Sequence, residues 1–99
     1  MRIALIALDA DITAQLVGWL GDEGHLPRRY DVVDAFLDSD DLTRVDAAIC
    51  ARADLATVGE ATEVDCRLIV IGAAAAAADA ALQPPLRRRA VLAALSAED

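Results

Sequence analysis

The sequence predicts an α/β fold built on a parallel sheet, and three observations carry that prediction. Short aliphatic runs at residues 3–8, 47–50 and 68–71 alternate with segments of helical periodicity. Each run is continuously apolar, as expected of a strand covered on both faces. The connections between them are short, and no internal repeat or linker composition divides the chain, so residues 1–99 read as one domain.

Taken in order, residues 3–8 form the first strand and end in a polar Asp-Ala-Asp, from which Asp9 or Asp11 is placed to cap a helix. Ile12, Leu16, Trp19 and Leu20 recur at helical spacing, and Gly24 ends that helix. Leu26–Tyr30 reads as a second, weaker strand. Residues 31–43 hold a helical set of Val33, Phe36, Leu37 and Leu42, interrupted by the acidic residues 38–41. A short buried strand at 47–50 is introduced by Asp46, and residues 54–62 have room for one or two helical turns. Residues 68–71 make the best central strand, stopped by Gly72. Residues 73–78 are six consecutive alanines, helical by propensity but marginal alone at that length. Ala80–Leu82 reads as a last short strand. Pro84-Pro85 then begins a final helix, with Leu86, Val91, Leu92 and Leu95 directed inward.

Composition narrows the function. The apolar fraction of 57% is rich in alanine, and the aromatics are limited to Trp19, Tyr30 and Phe36, so Ile, Leu and Val must build the core. A net charge of −8 argues against a nucleic-acid binder, which needs a positive field to neutralise phosphates. No apolar run reaches the roughly 20 residues of a membrane span. The start of the chain opens into a strand-like run rather than a signal peptide, which implies a cytoplasmic protein. Cys50 and Cys66 lack metal-ligand spacing and read as buried free thiols in a reducing compartment.

The opening residues 3–12, with the helix and Gly24-His25 that follow, resemble the first strand, acidic loop and first helix of the response-regulator receiver family. Residues 46–51 resemble that family's third strand. The most specific match is Leu82-Gln83-Pro84-Pro85-Leu86-Arg87-Arg88-Arg89 with its leucine-rich continuation, which resembles the end of the fold, especially in receivers of hybrid histidine kinases. The resemblance covers the whole chain. It implies a flavodoxin-like parallel five-stranded sheet. The spacings between Ala51 and Leu68 and between Gly72 and Gln83 imply a third or fourth helix that is shortened or missing, as in the first of two tandem receivers.

The chain departs from the family where the chemistry resides. The two carboxylates that hold Mg²⁺ in receivers are matched by Ala7 and Leu8, neither of which offers an oxygen ligand. Ala51 stands where the phosphorylated aspartate would be, and has no nucleophilic atom. Gly72 replaces the Thr or Ser that contacts the phosphoryl group. Gln83 replaces the lysine that pairs with the phosphorylated carboxylate, keeping hydrogen bonding but not charge. Asp9 lies one residue beyond the acidic pair, and a register slip that used it would turn the strand's side chains over. The reading is a degenerate receiver, or pseudo-receiver, with no catalytic residue, phosphorylation site, metal or cofactor.

Other features point to surfaces. By the resemblance, Gln83-Pro84 is expected to be cis, as the matching Lys-Pro bond of receivers typically is. Arg87, Arg88 and Arg89 fall in the first turn of the last helix, where cations oppose the helix dipole at about 0.3–1 kcal/mol each. That arrangement fits either a partner-binding face or a solvated basic face. His25 follows the helix-ending glycine and reads as structural. Tyr30 with Arg28 and Arg29 makes a small basic-aromatic cluster able to stack on a planar group, or simply an edge strand.

Two functions are carried forward. The first is a regulatory module of two-component signalling that docks on histidine-kinase domains, in its own or a partner chain, and controls them without being phosphorylated. A second receiver is a further candidate partner. The alternative is a ligand-sensing pseudo-receiver for cyclic di-GMP. Its phosphates would meet Arg52, Arg67 or the Arg87, Arg88 and Arg89 cluster, with Pro84 and Pro85 as a flat apolar surface; no aromatic in the last strand is available to stack a guanine. Arg67, Leu82, Gln83, Pro84, Pro85, Arg87, Arg88 and Arg89 are therefore the candidate contact surface. No nucleophile–base pair or phosphate loop suggests an enzyme.

Overall fold

The computed structural model describes residues 2–39, 44–62, 66–72 and 78–96. Five parallel strands, β1 (Arg2–Ile6), β2 (Leu26–Tyr30), β3 (Ala47–Ala51), β4 (Arg67–Ile71) and β5 (Ala80–Leu82), form one sheet in the order β2-β1-β3-β4-β5. The helices among the described residues are α1 (Ala10–Asp22), α2 (Val33–Leu37), α3 (Leu55–Thr62) and α4 (Arg88–Ser96), with a 3-10 turn at Arg52–Asp54. The sheet and its flavodoxin-like order agree with the fold expected from the sequence.

Alternation along the strands sorts the core into two halves. Ala4, Ile6, Ala48, Cys50, Leu68 and Val70 face one side, where Phe36 of α2 and Leu55 and Val58 of α3 cover them. Ile3, Leu5, Ala47, Ile49, Ile69 and Leu82 face the other, against Leu16 and Leu20 of α1 and Val91 and Leu95 of α4. All the strand residues named are buried. Alanine at three of these positions keeps the layers close. On α3, a side chain added at Gly59 would come within 3.1 Å of the Leu68 Cδ1 atom, so the helix lies tightly on β4.

The end of α1 shows how local chemistry sets the connections. Gly24 adopts φ +81°, and its N–H donates to the Gly21 carbonyl while the His25 N–H donates to the Leu20 carbonyl at 3.0 Å. This pair of bonds closes the helix with glycine in the left-handed position. His25 has the structural place expected of it. Pro27 removes a donor from β2, which is tolerated because β2 is an edge strand with one neighbour. Two aspartates extend the sheet beyond its paired residues. The Asp46 carboxylate accepts the Arg2 N–H at 2.8 Å, and the Asp79 carboxylate accepts the Leu68 N–H at 2.8 Å. The Asp79 N–H returns a bond to the Leu68 carbonyl.

Several boundaries differ from the sequence expectation. The first strand ends at Ile6 rather than Leu8, because Ala7 turns the chain at φ +52°. Asp9 occupies the cap position of α1 but makes no side-chain capping bond; instead the Thr13 hydroxyl donates to the Asp9 carbonyl at 2.9 Å. The strand at Arg67–Ile71 is interior but second from the edge, and β3 is the central one. The third helix is present as two turns. Of the six-alanine run and the acidic residues 38–41, positions 73–77 and 40–41 lie outside the described residues.

The final helix starts at Arg88, not at Pro84. The cis bond is Pro84-Pro85, not Gln83-Pro84. Both are X-Pro bonds with the same weakened trans preference, so the sequence alone did not distinguish them.

Candidate functional site at the carboxyl edge of the sheet

In open parallel sheets, ligands bind outside the carboxyl ends of the strands, where the strand order reverses. Here that reversal lies between β1 and β3, since the chain leaves β1 for β2 on one side and returns to β3 on the other. The register pairs Ile6 with both Tyr30 and Cys50, Cys50 with Val70, and Ile71 with Leu82. Ala7 follows directly on β1, and Ala51 is the last paired residue of β3, opposite Ile71. Gly72 and Gln83 follow directly on β4 and β5. All the positions matched to receiver chemistry thus share one edge of the sheet.

The matched positions themselves are apolar or neutral. Ala7 packs beside the α2–α3 half of the core, and its N–H donates to the Tyr30 carbonyl at 2.8 Å. Leu8 is half-buried against the α1–α4 half, so a hydrophobic contact occupies its position. Gly72 holds φ +126°, and its N–H donates to the Leu82 carbonyl at 2.8 Å, tying the ends of β4 and β5. Gln83 is exposed. Among the described residues, no group of three or more His, Cys, Asp or Glu side chains is arranged to hold a metal ion. The left-handed turn at Ala7 had no signal in the sequence, because alanine is not a residue that favours it.

Two free thiols are present, as expected, Cys50 near the carboxyl end of β3 and Cys66 just before the start of β4. Cys50 and Cys66 are both buried. Burial, helped by the nearby Asp54 carboxylate and by Cys66, raises the Cys50 thiol from an ordinary 9.0 to about 11. Burial likewise raises Cys66 to about 11, with Thr62 opposing and Asp79 and Asp46 adding to the rise. A thiol that holds its proton so firmly is a poor nucleophile near neutrality.

The residues predicted to form a contact surface do not act as a group. Leu82 is 3% exposed and belongs to the core. Arg67 is half-buried, and its Nε donates to the Ala94 carbonyl, so it fastens α4 to the sheet rather than facing a ligand. Arg88 pairs with Glu23 at 2.8 Å, a local return for a cation that the sequence left without one. Arg87 precedes the helix, where its carbonyl accepts the Val91 N–H. Gln83, Pro84, Pro85 and Arg87, between β5 and α4, and Arg89, in the first turn of α4, remain exposed. Leu86 and Leu92 are half-buried, whereas Val91 and Leu95 are buried as expected. Tyr30 meets Phe36 edge-to-face, with ring centroids 5.3 Å apart, and Arg29 approaches Asp31 at 3.8 Å.

Solved structures share this architecture. The fold is that of the CheY-like receiver domains. The chemotaxis protein CheY4 of Vibrio cholerae superposes with a TM-score of 0.76 at 13% identity, over 97% of this chain and 95% of that one. A response regulator receiver protein from Burkholderia phymatum gives 0.74 at 22% identity, over 96% and 94%. A response regulator from Burkholderia pseudomallei, solved with a phosphorylated aspartic acid, a calcium ion and citrate, gives 0.72 at 19% identity over 95% of this chain. This chain spans 65% of the length of that last protein. Neither a family profile nor a curated relative matches the sequence.

Proposed function

We propose that this chain is a pseudo-receiver of two-component signalling that controls a histidine kinase by contact, without accepting a phosphoryl group. The observation that carries the reading is the carboxyl edge. Ala7, Leu8, Ala51, Gly72 and Gln83 stand there in place of two metal-binding carboxylates, a nucleophile, a hydroxyl and a cation. Ala7, Leu8 and Ala51 offer no side-chain oxygen to a metal or an acyl phosphate. The 99 residues act as one regulatory domain of the cytoplasm, of the kind found first in tandem-receiver hybrid kinases, and not as an enzyme. Output leaves through the exposed stretch of Gln83, Pro84, Pro85, Arg87 and Arg89, which adjoins the edge.

The phosphorylation half is tested with acetyl phosphate and Mg²⁺, followed by intact mass. No phosphoryl adduct is expected on the wild-type chain. The Ala51→Asp variant should also stay unmodified, because Ala7 and Leu8 still leave the metal unheld. An acid-stable, base-labile adduct on the wild type would overturn this half. The contact half is tested by adding the chain to its cognate histidine kinase and following autophosphorylation. A changed rate, lost in an Arg87→Glu/Arg89→Glu variant, is expected; an unchanged rate would overturn it.

Cyclic di-GMP sensing is the second reading, and fewer cations now support it. Arg67 and Arg88 already have protein partners, leaving Arg52, Arg87 and Arg89 for phosphates. Calorimetry at about 100 μM ligand tests it, since a site weaker than that has a binding free energy smaller than roughly 5.5 kcal/mol.

A further inference from the structure

We draw no further inference here: the strongest candidate, the exposed face of α1 formed by Ala14, Val17, Gly18 and Gly21, is a stripe of small side chains around one exposed valine, and nothing among the described residues shows what covers it.

Discussion

At Leu68, a single backbone N–H lies beyond the last paired rung of β4 and β5, and the Asp79 carboxylate takes it at 2.8 Å. An unsatisfied amide in a partly buried place is costly, and a charged acceptor makes the bond stronger than a neutral one. Asp79→Ala should therefore destabilise the fold by about 1.5–3 kcal/mol, read from the urea midpoint, with Asp79→Asn losing less. Nothing in the sequence near Asp79 announces this role, because the partner is eleven residues away and found only through the sheet. The proposed losses at Ala7, Ala51 and Gln83 are legible for the contrary reason. They are absences of functional atoms, and an absent carboxylate needs no structure to be recognised.

At the scale of elements, α4 shows two arginines with unequal work. Arg67 is half-buried and donates to the Ala94 carbonyl near the end of the helix, while Arg88 and Glu23 pair with their side chains 46% and 41% exposed. Solvent screens the second pair, and such pairs contribute about 0–1 kcal/mol. Arg67→Met should loosen α4 and raise hydrogen exchange along Arg88–Ser96, whereas Arg88→Ala should barely alter it. Equal effects from the two would contradict this division. The sequence had both residues on one surface because it shows charge and not which backbone a guanidinium can reach. It also began the helix at Pro84, since a proline pair suits a helix start as well as the turn that forms here.

For the whole molecule, the two buried thiols make stability depend on alkaline pH. An unfolded thiol ionises near 9.0, while Cys50 and Cys66 keep their protons to about 11 in the folded state. Between those values the unfolded chain releases protons first, so stability falls as pH rises from about 9 to 11. Full ionisation would cost on the order of 3 kcal/mol per thiol. Chemical unfolding at pH 8 and pH 11 should show a larger fall in the wild type than in a Cys50→Ala/Cys66→Ala variant. Equal falls would refute the coupling.

The sequence by itself determined the five strands and the sheet they form, and the proposed loss of receiver chemistry rests on its residue identities. Continuous aliphatic runs admit few other arrangements, and residue identity alone settles whether a nucleophile exists. Tertiary structure decided which cations are spoken for, where Ala7 turns, and which proline bond is cis. Those outcomes depend on contacts between segments far apart in sequence, such as Arg67 with Ala94 or Arg88 with Glu23.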